Sequence, residues 1–391
     1  MSIIRLPIIR HGQTSWDKSL LPESEFERRI ALVRDILRDR QLDAMFVYSD
    51  MIHSGRAAYL INCHVFDPRM PNMVLITRDA FDAVLNVTGR DLFFFSQFTK
   101  ARLYNCDFLT GDMSIKLGEL VKEHGLSKSR VGLVGGKDMP AVQFEKFQAL
   151  FAGGTIEDCD QVFAALQRNK SETERRLMKR AAEKVEAVLA DVAAYAKPGI
   201  SERTLSARAD YAARMNGCQD VDFLIYTPEQ ASAAWPKGHL PFRPVSTREL
   251  TEGDSIGVYV AMQFQGYWVE LSQTVFVGKA SPEQLAAQEQ AISRYEDVLR
   301  SLRPGGNYGA DQWNDATLSV WVHGTGADRD EEPYPTAPDE KLNAGELMAA
   351  HVAVKSENGI FFLGRQIIVS KDGSNTLVKP NMEQKAAAQA S

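Results

Sequence analysis

The sequence predicts two domains of different class, an α/β domain over residues 1–165 and an α+β domain over residues 166–381, followed by a tail at 382–391. Three observations carry this. Strand-like and helical runs alternate through the first part. A long capped helix opens the second part at Ser171. Beyond residue 219 strand-like runs follow one another, the mark of an antiparallel sheet.

Each element has a local reason. Ser24 to Arg40 places Phe26, Ile30, Val33 and Leu37 on one helical face. Asp43 to Tyr48, Met73 to Thr77, Ala83 to Leu85 and Val131 to Val134 are short β-forming runs. Helical patterns lie between them at Ser114 to His124 and Ala141 to Leu150. Ser171 with Glu174 forms a capping box, and Leu177, Ala181, Val185, Val188 and Val192 follow at helical spacing. Lys197-Pro-Gly199 stops that helix, and Ser201 to Arg214 forms the next. The later strands are predicted at Asp222 to Tyr226, Ser255 to Phe264, Tyr267 to Val277, Met348 to Lys355 and Arg365 to Ser370. The tail is small and polar, and frays.

Composition narrows the function classes. The 391 residues are 44% hydrophobic, enough for a sizeable core. Mean hydropathy is −0.26, and no apolar run approaches membrane-spanning length. The net charge is −6 with both signs mixed, so no basic stripe tracks a nucleic-acid backbone. Cys63, Cys106, Cys159 and Cys218 are scattered without CxxC spacing. That argues against a disulfide framework or a zinc ribbon and fits a reducing compartment. The first residues carry no long apolar segment or small-residue cleavage site, so the expected location is the cytoplasm.

Four segments then occur in a specific order. They are Gly238-His-Leu-Pro-Phe-Arg-Pro-Val-Ser-Thr-Arg-Glu-Leu-Thr-Glu-Gly-Asp254, Gly266-Tyr-Trp-Val-Glu-Leu-Ser-Gln-Thr-Val-Phe276, Val322-His-Gly-Thr-Gly326, and Leu342-Asn-Ala-Gly-Glu-Leu-Met348 with Ile368-Val-Ser-Lys-Asp-Gly373. Together they resemble the superfamily of methionine aminopeptidases, prolidases and creatinases, known as the pita-bread fold. Lys170-Ser-Glu-Thr-Glu174 and Lys197-Pro-Gly-Ile-Ser-Glu202 match the opening of that domain. The first half is similar to the family's accessory α/β domain, so the resemblance spans nearly the whole chain.

In the family's metallopeptidases two Asp, one His and two Glu hold a pair of metal ions. Carried over by position, these fall on Tyr259, Glu270, His323, His351 and Gly364. Only His323 matches. One carboxylate, two imidazoles and a phenol do not neutralise two divalent ions. A single metal on Glu270, His323 and His351 is an alternative, since three N/O ligands suit a catalytic zinc. The reading taken here needs no metal and no cofactor.

The resemblance to metal-free creatinase implies a general base at His239; the alternative is that His239 binds a substrate carboxylate. Glu270 is a candidate to protonate or stabilise a leaving nitrogen, or to attack as a nucleophile. His323 and His351 are candidates for orienting substrate. Tyr259 either donates to an oxyanion or fills the vacated space. Tyr267 and Trp268 flank Glu270 as candidate substrate contacts. Arg69 and Phe66 are implied to reach a neighbouring subunit's site, where an Arg fork suits a carboxylate. Creatinase also keeps Glu residues where Ser272 and Gly364 stand here, so a simple creatinase assignment does not follow.

The expected function is metal-independent hydrolysis of a C–N bond in a small, nitrogen-containing, carboxylated metabolite, in the style of creatinase or ectoine hydrolase. A homodimer is implied by the family. The competitors are a lyase in the same pocket, a non-catalytic pseudo-peptidase, and a metal-dependent Xaa-Pro peptidase. Arg10-His-Gly12 is similar to the opening of histidine phosphatases, but the helix and strand that follow fit the prolidase-like first domain instead, and the match is read as chance. Asp328-Arg-Asp-Glu-Glu332 reads as a solvated loop of like charges.

Overall fold

The computed structural model describes residues 16–64, 71–87, 89–106, 110–227, 240–307, 313–333 and 341–379. The chain divides into two compact units, Met1–Gln167 and Arg168–Ser391.

The first unit is built on β1 (Ala44–Ser49), whose six residues are all buried. It pairs in parallel with β5 (Arg130–Val134) and antiparallel with β2 (Asn72–Thr77). With β3 (Phe81–Leu85), β4 (Arg102–Asn105) and β6 (Thr155–Asp158) the sheet order is β4-β3-β2-β1-β5-β6. Both faces are covered, which is why β1 reads as a continuous apolar run. Met45 and Val47 face Ile30, Val33 and Leu37 of α1 (Glu23–Arg40). Ala44, Phe46 and Tyr48 face Leu117 and Leu120 of α4 (Ser114–Glu123) and Phe147 of α5 (Ala141–Ala149). Three short helices, α2 (Gly55–Ile61), α3 (Gly89–Phe95) and α6 (Asp160–Arg168), complete the order.

The second unit opens with α7 (Glu172–Tyr195). Ser171 Oγ accepts from the Glu174 N–H at 3.1 Å, and the Glu174 carboxylate accepts from the Ser171 N–H at 2.8 Å. This is the capping box read from the sequence. After α8 (Glu202–Met215) come β7 (Asp220–Tyr226), β8 (Ser255–Phe264) and β9 (Tyr267–Phe276). The β8–β9 turn is Gln265-Gly266, both at positive φ, which fits a tight two-residue hairpin. Then follow α9 (Pro282–Ser301), β10 (Leu318–Gly324), β11 (Leu347–Ser356), β12 (Gly359–Ile368) and the short β13 (Asn375–Thr376). The sheet order is β10-β11-β12-β9-β8-β7, with β13 on β12. Ala291, Tyr295 and Val298 of α9 pack with Val320, Val352, Val354, Phe361 and Leu363, which occupy one face of this sheet.

The structure adds several short elements and β10 to the sequence reading, and two further differences have a clear local cause. The last long strand begins at Gly359, not Arg365, because a two-residue turn follows Ser356 and Ile360 to Leu363 are already buried core. Helix α9 was not anticipated, although Ser281, Pro282 and Gln284 form a capping box with Pro in the first turn.

All four cysteines are free. No helix among the described residues is long and apolar enough to cross a membrane. Burial pushes the His64 imidazole down to about 4. The unfolded chain therefore takes up a proton near pH 6.5 that the folded chain refuses. This contribution is fully present above that pH and is lost as pH falls through the folded value, about 3 kcal/mol in all. Urea unfolding of His64→Asn between pH 7 and pH 4 is expected to lose less stability than wild type. An identical decline in both proteins contradicts this assignment.

Candidate active site

Antiparallel strands with a period of two decide which side chains share a face. On the face opposite α9, one row across the sheet reads Tyr259, Ser272, Gly364, His351, Trp321. The adjacent row carries Ala261 and Glu270 from β8 and β9, and Gln366, Ala349 and His323 from β12, β11 and β10. Tyr259, Glu270, His323 and His351, four of the residues singled out in the sequence, are thereby brought together and buried.

Glu270 is the centre. Its Oε1 lies 2.5 Å from His323 Nε2 and 3.8 Å from His351 Nε2. Its Oε2 accepts a short hydrogen bond from the Tyr259 hydroxyl. Burial alone would raise the Glu270 carboxyl, but the His323 charge, with help from His351, outweighs it and holds the group well below the usual carboxylate range. Burial, then the Glu270 charge, push the Tyr259 hydroxyl well up. Burial opposes the His323 imidazolium, yet the neighbouring carboxylate raises it. For His351 burial wins and the value is lowered. The site thus holds an anion, a neutral phenol, one imidazole biased toward its charged form and one biased toward neutrality.

His351 is fixed from below. Its Nδ1 lies 2.8 Å from Ser272 Oγ. A Cβ at position 364 would overlap both the His351 ring and that hydroxyl, so Gly364 leaves the space that the imidazole fills. Phe242 and Phe362 stack at 4.7 Å and wall the site beside Tyr259.

The loop after β10 is not a solvated run of like charges. Asp328 and Glu331 are buried. Glu331 Oε2 lies 2.5 Å from Lys170 Nζ, and its Oε1 accepts from the Asp328 N–H at 3.0 Å. Gly324 and Gly326 are small because this loop folds back onto them; a Cβ at either would strike Glu331 or Glu332. The close approach is made by the chain itself. The fold-back delivers Arg329, which donates to Tyr259 OH at 2.9 Å and pairs with Asp222 of β7. It also sets the Asp330 carboxylate 3.3 Å from His323 Nδ1, which is 2.9 Å from Gly324 O. Sequence reasoning missed Arg329 and Asp222, because an Arg within an acidic run carries no periodic signal.

Tyr267 is not a substrate contact. It lies three residues from Glu270, an odd offset that turns it to the helix face, where its hydroxyl donates to Glu174 Oε1 at 2.8 Å. Trp268 contributes its backbone: its N–H donates to Gly326 O at 2.7 Å, and its carbonyl accepts from Thr325 at 2.8 Å. His239, Arg69 and Phe66 lie outside the described residues.

Residues 176–370 match the model for metallopeptidase family M24. An Xaa-Pro dipeptidase of Pyrococcus horikoshii is 22% identical over 245 residues, 57% of this chain and 66% of that protein. A probable dipeptidase PepE of Mycobacterium tuberculosis is 26% identical over 234 residues, 54% of this chain and 59% of that protein. The chain thus spans a little under two thirds of these curated relatives. The fold extends further. A prolidase from P. horikoshii superposes with a TM-score of 0.71 at 18% identity, covering 91% of this chain and 99% of that one. An X-Pro aminopeptidase from Thermotoga maritima gives 0.76 at 16% identity, covering 90% and 97%.

The family implies a pair of metal ions, and the residues present do not fit one. Among the five corresponding positions Glu270 is the sole carboxylate, and Gly364 has neither a side chain nor room for one. One small ion is a different matter, because donor atoms of Glu270, His323 and His351 all lie within 4.8 Å of one another. The fold and the M24 match agree, and this chain belongs to the pita-bread superfamily of prolidases, methionine aminopeptidases and creatinases.

Proposed function

We propose that this chain is a hydrolase of C–N bonds in small, nitrogen-containing, carboxylated molecules, working without the paired ions of its metallopeptidase relatives. The observation that carries this reading is the buried group Tyr259, Glu270, His323 and His351 on one sheet face. These are acid, base and anion in reach of one another.

The roles follow from the environments. His351, biased toward neutrality, accepts a proton from the attacking water at Nε2, with Ser272 holding Nδ1. Its Nε2 has no hydrogen-bond partner among the described residues. His323, biased toward its charged form, returns a proton to the leaving nitrogen. The Tyr259 hydroxyl stays protonated, and its single O–H turns from Glu270 to the developing oxyanion. Glu270 stabilises the His323 charge and a cationic nitrogen. His239 remains a proposed second base.

A second reading has its own observation. The three donors of Glu270, His323 and His351 fit a single ion, and the relatives' names point to Xaa-Pro peptides. In that reading the ion would supply Lewis-acid polarisation of the scissile carbonyl.

Metal analysis of the purified protein, with turnover of a panel of amidines, guanidines, lactams and Xaa-Pro dipeptides, separates the two. The first reading expects turnover that survives chelation and falls about a hundredfold or more in Glu270→Gln. One tightly bound ion per chain, lost in His351→Ala together with Xaa-Pro cleavage, establishes the second. Two ions per chain would falsify both.

The packing at Gly364 gives a further expectation. Gly364→Ala is expected to cost about 1–3 kcal/mol through overpacking against His351. Combined with His351→Ala it should cost much less than the sum, because the space is then free. Additive losses in denaturant melts would show that the two positions do not compete.

A further inference from the structure

The first unit carries a cavity that the hydrolase reading does not use. It has a volume of about 190 Å³ and is lined by Trp16, Phe26 and Ile30 of α1, Leu60 of α2, Phe81 of β3 and Phe98 beyond α3. Ile30, Leu60 and Phe98 are buried, so its inner surface is apolar. Trp16 and Phe26 meet edge to face with their centroids 5.6 Å apart. The mouth is open to solvent, because Glu27 and Lys100 also line the cavity and their side chains are 59% and 58% exposed.

One lining residue is unmatched in charge. Phe26, Ile30 and Arg34 follow at steps of four along α1, so Arg34 continues an apolar row. Its Nε donates to Thr77 O at 3.1 Å, at the end of β2, and this holds the guanidinium in place. Neither of its Nη atoms is bonded to a described residue, and no carboxylate of a described residue pairs with it. The other charges of the lining already meet one another: Lys100 Nζ lies 3.0 Å from Glu23 Oε2 and 2.6 Å from Glu27 Oε1.

We propose that this cavity binds a small, single-ring aromatic carboxylate, with its ring among Trp16, Phe26 and Phe81 and its carboxylate on the two Nη atoms of Arg34. Size sets the first limit. An apolar cavity of roughly 150 Å³ takes benzene, so this one takes a single ring with a short substituent. The aromatic walls favour a ring in edge-to-face or offset contact. The two Nη groups of a guanidinium match a carboxylate with parallel hydrogen bonds. A cationic ligand is disfavoured, because Lys100 already holds both carboxylates of the lining. A neutral ring would cover Arg34 without pairing it.

Binding to the full chain, followed by ligand-observed NMR titration, tests this. Benzoate offers the ring and the carboxylate, benzamide the ring without the charge, and acetate the carboxylate without the ring. Wild type is expected to bind benzoate about tenfold or more tightly than either of the others, the scale of a charge-assisted hydrogen bond. Arg34→Met should abolish the preference for benzoate over benzamide. If that variant does not fold, Arg34→Lys serves, and it should weaken benzoate severalfold because it loses the paired Nη groups. Trp16→Ala removes one wall and should weaken benzoate and benzamide alike. An Arg34 variant that binds benzoate as tightly as wild type overturns the proposal. So do unchanged affinities in Trp16→Ala, acetate bound as tightly as benzoate, and a wild type that takes none of the probes. Benzoate binding that survives in Arg34→Met but is lost in Arg329→Met places the ligand at the group around Glu270, and overturns it as well. The hydrolase reading is judged separately by the turnover panel and Glu270→Gln.

Discussion

A carboxylate buried in a sheet must be compensated, and the second unit is arranged around that need. Glu270 is 3% exposed. Transferring an isolated carboxylate from water to such a place costs several kcal/mol even after relaxation. Three strands and one loop answer it. Tyr259 comes from β8, His323 from β10, His351 from β11, and Arg329 from the fold-back beyond β10. Tyr259 faces Glu270 across the β8–β9 hairpin, and the others come from far along the chain. The antiparallel register places all three ring side chains on its face, so the fold and the charge balance of the site are one problem.

The substitutions at the family's metal positions are coherent in volume as well as in charge. A glycine at 364 and a histidine at 351 are directly opposite in the β11–β12 ladder. The imidazole occupies what a side chain at 364 would have filled. A small residue with no chemistry of its own thereby makes room for a group that has some. Here Ser272 supports the incoming ring, and the phenol of Tyr259 meets the carboxylate.

Much of this was legible in the sequence, and the exceptions have physical causes. Ser171 with Glu174 announces α7, and the apolar run at β1 announces a strand covered on both faces. The ordered segments from Gly238 to Gly373 carry the fold, and with it the proximity of Tyr259, Glu270, His323 and His351. The geometry of pairing was not legible. Tyr267 looked like a neighbour of Glu270, but an odd offset on a strand sends it to α7. The run Asp328 to Glu332 looked solvated because charge pattern alone does not reveal a buried partner such as Lys170. Helix α9 was legible in its cap at Ser281 and was passed over beside the stronger strand signals.

The opposite face of the sheet reinforces the site where the pairing of β9 with β12 is brief. β12 meets β9 at only two residue pairs, Leu363 with Gln273 and Gly364 with Ser272. Next to them a side chain takes over, the Phe362 N–H donating to Thr274 Oγ1 at 2.8 Å. Arg365, adjacent to Gly364 and pointing the other way, donates to Ser272 O at 2.9 Å and Gly364 O at 2.8 Å. It also reaches Gln273 at 3.0 Å, and its own charge is met by Glu186 of α7 at 2.5 Å. A guanidinium has enough donors in one plane to serve all four groups. Arg365 therefore clamps the backbone on which Ser272 supports His351, and α7 holds the clamp through Glu186. Arg329 works on the open face and Arg365 on the helix face. Between them the two guanidiniums meet the site's carboxylate on one face and its backbone on the other.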